Sequence, residues 1–442
     1  MMAAFTAIGV LLILMLEGAV VTHRLLRVPS IALTMALALP CAAILSTFVV
    51  ALLTITHLPL SPLPIFLGHV GMTAIAELIA RFTVIPPITV IHRRGLQMPG
   101  ILRIACIIIL AISLLFSAVH AIVLPTVAID NLTNWTMRSK VSFVDRQLAF
   151  DRTEERGIAK PQYPFLIHAL QITANQGQRE WSDHAANTAL WLLVISLWSV
   201  CGALLKAMRG TDIALGTMAL IVGMPLVAIQ TGVGYPDVPL MSWTLLAALV
   251  LTSALESRSI TGLMLSGGTI AGALWTKSEG IVLAAIPWSI LLSVAVLRKH
   301  ARWQHALVAA GSALLLFLPF LLVLIGQGLS PLPHDTDLAL GCRMDALPAL
   351  ITSLFCGGSF GALVLPILFA IGLLAVRTIR EKRSVQWTEI LLLVWGAICV
   401  GGVLFTYMCT PNVSYLLNGQ SFFRQMLTPL SLFVAGIAWA WP

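Results

Sequence analysis

Apolar runs of about 20 residues recur from one end of this sequence to the other, and each has the length a helix needs to cross the ~30 Å hydrocarbon layer of a bilayer. Inside hydrocarbon a backbone N–H or C=O has no water to turn to. Repeated runs of this length therefore fold as helices, each satisfying its own backbone. The runs lie near residues 3–22, 30–53, 64–88, 101–124, 187–205, 212–229, 237–255, 260–275, 280–297, 305–325, 358–376, 389–408 and 422–440. The expected fold is an all-α polytopic membrane protein with about thirteen transmembrane helices. Composition agrees: 59% of residues are hydrophobic, only 10% are charged, and the mean hydropathy of +0.96 excludes a soluble globular chain. Residues 1–22 lack a basic leader and a small-residue cleavage site, so they are expected to be a retained span.

The net charge of +8 does not indicate a nucleic-acid partner, because the basic residues punctuate the gaps between apolar runs and form no single patch. Tallied over alternate gaps, one side collects fifteen Lys and Arg, from Arg24 and Arg27 to Lys382 and Arg383. The other side has Lys277, Arg343 and Arg424, plus seven in one long loop where acids are interspersed. The positive-inside rule makes the fifteen cytoplasmic and places that loop outside. Seven cysteines stand singly, which gives neither a disulfide framework nor a metal spacing. Cys342, Cys356 and Cys409 fall on the outer side, where one bridge is open to them, though free buried thiols are expected. Within the third run Glu77 and Arg81 lie one turn apart and are expected to neutralise each other. Residues 347–376 are too long for one span, and Gly357-Gly358-Ser359 predicts a short helix followed by a true span.

The long loop divides the chain into N-terminal spans (1–124), an outer segment (125–186) and C-terminal spans (187–442). Structureless connections of that length are uncommon and usually functional. Val141, Val144 and Leu148 share one helical face, and Phe165, Leu166, Ala169, Leu170 and Thr173 another, so two interfacial helices are expected. Asp130 stands at the loop's entrance, followed by Trp135, Arg138 and Lys140. Its carboxylate is placed either to take a proton from an attacking hydroxyl or to cap a helix starting near Leu132, with Asn131 the competing cap. Spacing alone does not separate the two. Arg138 and Lys140 have the chemistry to hold a phosphate. In Lys160-Pro161-Gln162-Tyr163-Pro164 the prolines keep the chain extended up to Phe165. Two further polar outcrops face the same side: Tyr235-Pro236-Asp237, where Asp237 heads a span, and the hairpin Thr276-Lys277-Ser278-Glu279-Gly280.

These pieces, in this order, resemble the membrane-embedded glycosyltransferases of the GT-C class, and most of all the bacterial relatives of protein mannosyltransferases and aminoarabinose transferases. Members carry an Asp-containing segment with a following Trp and Lys/Arg, then His-Pro-Asp-Tyr-Pro, Tyr-Ala-Asp-Val-Pro-Leu and Thr-Lys-Asn-Glu-Gly. The corresponding text here is Asp130 to Lys140, KPQYP at 160–164, YPDVPL at 235–240 and TKSEG at 276–280, with Arg424 and Pro429 in the last span. The motifs cover roughly residues 125–440. Lys160 stands where the family has His and Gln162 where it has Asp, so no acid–base or metal role carries over to either. Three spans ahead of the fourth are not explained by these motifs.

The resemblance implies transfer of a sugar from a polyprenyl-phosphate donor to an acceptor hydroxyl of a glycan, lipid or protein, with Asp130 as general base and inversion at the anomeric carbon. Arg138, Lys140, Lys160, Tyr163, Lys277, Glu279 and Arg424 would hold the donor, with Trp135, Gln162 and Asp237 as support. It also implies a bacterial inner membrane with the site facing the periplasm and lipids as neighbours. No cofactor is demanded, since side-chain cations can neutralise the leaving phosphate; a divalent ion between Asp130 and Glu279 is the other arrangement these carboxylates allow. The rival reading is a transporter or flippase of lipid-linked sugars or polysaccharide, from which the lack of an internal repeat detracts.

Overall fold

A computed structural model of the chain describes residues 2–441 except 26, 29, 83–96, 151–161, 330–342, 357–359, 361–362, 382–385 and 411–420. Among the described residues all regular structure is helical. The N-terminal spans are α1 (Met2–Arg24), α2 (Ile31–Ile55), α3 (Pro62–Phe82) and α4 (Gly100–Val123), and the outer segment carries α5 (Ile129–Thr133), α6 (Trp135–Asp145) and α7 (Leu166–Asn175). There follow α8 (Asp183–Arg209), α9 (Thr211–Val222), α10 (Pro225–Val233), α11 (Asp237–Ser257) and α12 (Ile260–Thr276). A π-turn (Ile281–Ala285) leads into α13 (Ile286–Leu297), and the chain ends with α14 (Trp303–Gly326), α15 (Leu347–Cys356), α16 (Val364–Arg380), α17 (Trp387–Cys409) and α18 (Phe422–Ala440).

Among the described residues each of the thirteen expected runs overlies helix, but the count of thirteen crossings is not reproduced. By length and composition nine described helices can cross a bilayer, or ten if the pair α9 and α10 is one span. That pair, expected as one straight run at 212–229, is bent by 70°. Pro225 has no N–H to continue the ladder and disfavours helical backbone at Met224, which is extended. The break expected at Gly357–Ser359 lies outside the described residues; α15 and α16 flank it.

Between Asp237 and Glu256 helix α11 carries only apolar residues and small hydroxyls on every side, and such a helix belongs in the interior. Its membrane window is fully buried, enclosed by α8, α12, α17 and α18. Helices α3 and α4 stand at the rim, with only 17% of each window buried, and present side chains such as Leu115 and Ile101 to lipid. Close helix contact in a bilayer needs small residues. At Gly267 of α12 an added Cβ would sit on the Ala309 carbonyl oxygen of α14, and the Ser312 hydroxyl next to it donates to the Met264 carbonyl at 3.0 Å.

Alternation of the helices gathers the end of α4, the starts of α11 and α18 and the end of α12 at one end of the bundle, beside α5–α7. Arg209, Arg258, Arg298 and Arg380 close helices at the other end.

Two local expectations are corrected and a third is extended. In α6 the inward residues are Trp135, Arg138, Ser139, Ser142 and Phe143, while Val144 is exposed, and α7 is buried on every side. Polar side chains with partners inside displace the apolar stripe that periodicity suggested. Glu77 pairs with Arg81 at 3.4 Å as expected, and Arg24 adds a closer grip, at 3.1 Å from Nε and 3.0 Å from Nη2. Cys409 is disulfide-bonded, against the expectation of free outer thiols, whereas Cys41, Cys106, Cys201 and Cys399 are free.

Candidate functional site

Local rules bring the polar outcrops to one place. Gly234 ends α10 with φ +77°, a left-handed cap that glycine adopts without strain. The chain then turns through Tyr235 and Pro236 into α11, so Asp237 becomes the first residue of a buried helix, where a carboxylate suits the positive end of the dipole. Across from it, Lys277 closes α12 in extended backbone. The hairpin stays tight because Gly280 lies where a Cβ would meet the Ala273 carbonyl at 2.7 Å. The following π-turn widens the ladder, and the Leu283 carbonyl accepts from Trp395 Nε1 and Cys399 Sγ, both at 3.1 Å. Such turns are frequent at functional sites.

The result is a string of alternating charges. Asp130 meets Arg424 Nη1, Arg424 lies 3.9 Å from Asp237 Oδ2, and Lys277 Nζ donates to Asp237 Oδ1 and pairs with Glu279 Oε1, both at 2.9 Å. The Arg424 guanidinium also lies over the Tyr235 ring at 5.1 Å. Lys277 and Asp237 are buried, Arg424 and Glu279 partly so, and Asp130 is 42% exposed. The string thus runs from buried Lys277 and Asp237 to exposed Asp130. Burial works to lower the Lys277 ammonium, but Asp237 and Glu279 outweigh it and hold its pKa above the usual lysine range. Burial and then the Asp130 carboxylate raise the Tyr235 hydroxyl, which stays a donor at neutral pH.

Three carboxylates against two cations leave this cluster one negative charge in excess. Among the described residues Glu279 Oε2, Asp237 Oδ2 and Arg424 Nε are buried without a hydrogen-bond partner. Buried polar atoms are expensive to leave unmet, and these three belong to one string of charges. The two carboxylates on which a divalent ion would rest, Asp130 and Glu279, are each met by a cation of the chain, and among the described residues no group of three or more His, Cys, Asp or Glu is arranged to hold a metal ion.

Asp130 is the second residue of α5, whose cap is Ala128 with no side-chain bond, so the capping alternative falls away. Asn131 instead donates from Nδ2 to the Val233 carbonyl, tying α5 to the end of α10. Arg138 departs most from expectation. Its side chain is fully buried and donates to the carbonyls of Ala149 at 3.0 Å and Tyr163 at 2.7 Å, over the Phe150 ring. Burial pushes its pKa down to about 9, leaving it charged at neutral pH. It fastens the loop, with Nη2 unmet among the described residues. Trp135 lies between Tyr163 at 5.2 Å and His168 at 5.6 Å as the middle of a ring stack. Gln162 is buried beside this stack in sequence, Lys140 is exposed on α6, and Lys160 lies outside the described residues.

Sequence reasoning missed Tyr407. It lies near the end of α17, bonded to Ser421 at 2.5 Å and within electrostatic range of Lys277, Glu279 and Asp237. A signal was present: the chain has four tyrosines, and Tyr163, Tyr235 and Tyr407 all lie close enough to feel this cluster's charges.

No family model matches the sequence, and no curated protein matches it either. The fold is similar to that in the crystal structure of ArnT from Cupriavidus metallidurans bound to undecaprenyl phosphate, at 14% identity and a TM-score of 0.54. The alignment covers 75% of this chain and 59% of that one, so this chain spans under two thirds of the length of ArnT. The chain is a multi-pass helical membrane protein with a GT-C-like fold.

Proposed function

We propose that this protein is an integral-membrane glycosyltransferase that moves a sugar from a polyprenyl-phosphate donor to an acceptor hydroxyl at the outer face of a bacterial inner membrane. The observation that carries the reading is the continuous string from Asp130 through Arg424, Asp237 and Lys277 to Glu279, assembled from four distant stretches of sequence. Two facts support a lipid-phosphate donor: the fold is similar to that of ArnT, and that protein was crystallised with undecaprenyl phosphate.

In this reading the donor phosphate takes Arg424 and Lys277 as its counter-charges, and Asp237 holds both cations in place. When the phosphate engages Arg424, Asp130 loses its partner and is free to accept the acceptor's proton. The acceptor oxygen forms its bond to the anomeric carbon from the face opposite the phosphate. The bond between that carbon and the phosphate oxygen breaks, and its electron pair leaves with the polyprenyl phosphate. Configuration inverts, as in any single in-line displacement. The fixed cations stabilise the charge growing on the leaving group. Glu279, with one oxygen unmet among the described residues, is placed to accept from sugar hydroxyls.

The test is Asp130→Asn in proteoliposomes with a polyprenyl-phosphate sugar. Loss of a general base predicts a fall of about 10²–10⁴ in transfer with donor binding retained. Full activity in this variant would refute the base assignment. Movement of donor lipid between leaflets with its sugar bond intact would point to a transporter instead.

A further inference from the structure

At the end of the bundle away from Asp130, α1 and α3 finish side by side and leave a cavity of about 630 Å³. Its polar wall is His23, Arg24, Arg27, Glu77 and Arg81. One carboxylate cannot balance three guanidiniums: Glu77 is shared by Arg24 and Arg81, and Arg27 adds a third charge. The three guanidiniums and Glu77 leave the wall two positive charges in excess. The side chains of Arg24 and Arg81 are 58% and 71% exposed, so their charge faces the open volume. Arg27 is held at φ +48°, a left-handed conformation uncommon in residues other than glycine.

Both helices end here, and their carbonyl ends oppose an anion, so attraction must come from the guanidiniums. Planar guanidinium forks match phosphate oxygens two at a time. The rim continues onto the lipid-facing surface of α3, where Leu78 and Phe82 are 55% and 81% exposed. A ligand with a charged phosphate and an apolar tail fits both surfaces at once.

We propose that this cavity binds the phosphate headgroup of an anionic membrane lipid, at the opposite face of the bilayer from the Asp130 cluster. The inference is independent of the proposed sugar transfer. It concerns the N-terminal helices that the motifs of the sequence leave unexplained.

The test is native mass spectrometry of the full chain in detergent, titrated with phosphatidylglycerol or phosphatidylcholine. Arg27→Gln/Arg81→Gln is the variant of choice, because it leaves the Arg24–Glu77 pair intact. Any anionic lipid held at the other end is common to both proteins, so the difference between them isolates this cavity. The expected result is that the variant holds phosphatidylglycerol about thirtyfold more weakly, at the scale known for two basic residues near a charged lipid surface. Phosphatidylcholine binding is expected to be unchanged, and Arg27→Lys/Arg81→Lys to restore most of the loss. Equal phosphatidylglycerol binding in wild type and variant would overturn the proposal. So would equal loss of both lipids, which signals general damage. Displacement of the lipid by millimolar inorganic phosphate would make this a site for free phosphate and would also overturn it.

Discussion

Lys277 is the residue on which the cluster turns, since it touches both Asp237 and Glu279 from a buried position. Removing one partner of a buried ion pair leaves the other charge uncompensated. Lys277→Met is therefore expected to destabilise the protein by roughly 3–5 kcal/mol, read as a lowered melting temperature in detergent. Replacing both partners, as in Lys277→Met/Asp237→Leu, is expected to recover most of that loss and to leave the protein without donor binding. If the double variant melted no higher than the single one, Asp237 would not be the charge that Lys277 compensates. His168 gives a pH test. Burial first, and then the charge of Arg138, hold its imidazole well below the usual pKa, so it stays neutral in the folded state. An unfolded histidine gains a proton as pH falls through about 6.5 and the folded one does not, so stability is present above that pH and lost below it. The loss should reach at most about 1.4 kcal/mol per pH unit. Comparison of acid melting curves for wild type and His168→Gln checks it: the variant should show the shallower slope, and identical slopes would exclude His168 as the cause.

At the scale of elements, the hydropathy of the sequence located nearly every helix but did not say which faces were buried. Loop helix α6 shows why. Val141, Val144 and Leu148 formed the apparent apolar face, yet the structure turns Arg138, Ser139 and Ser142 inward because each finds a partner there, such as the Ser139 hydroxyl with His168 at 2.8 Å and Gln171 at 2.6 Å. Periodicity counts apolar residues and cannot see such pairing. The same blindness hid a network within the first three spans, where Glu17 meets His69 at 2.7 Å and Thr73 at 3.0 Å, and His69 approaches Ser46 at 3.4 Å. By contrast, Asp130, Asp237, Lys277, Glu279 and Arg424 were legible, because charge beside long apolar helices is rare and each stood at a helix end. Their order matched a known set of motifs. What the sequence did not show was that Asp130 and Arg424, 294 positions apart, are direct partners. The contact between α12 and α14 gives the element-scale test. Gly267→Leu forces the two helices apart at the Ala309 carbonyl, and overpacking of this kind costs about 1–3 kcal/mol. A melting temperature equal to wild type would mean that the helices are not in close contact there.

Across the whole molecule, one end of the bundle gathers the proposed donor site and the other the arginines that close its helices. This polarity matches the alternation of Lys and Arg along the sequence, from which the positive-inside rule leads us to propose that the Asp130 end faces outside. Single cysteines placed at Lys140 and at Arg298, in a background lacking the free native thiols, test the orientation. A membrane-impermeant maleimide added to whole cells is expected to label the first and spare the second; the reverse pattern would invert the topology. The central claim is that one chamber, formed by residues scattered over nearly three hundred positions, holds a lipid phosphate between its two cations. The most direct measurement is an experimental structure of the protein in a lipid nanodisc with polyprenyl phosphate added. The account predicts phosphate density within hydrogen-bond reach of both Arg424 and Lys277, with Asp130 released from Arg424. Density elsewhere, with the Asp130–Arg424 pair intact, would contradict it.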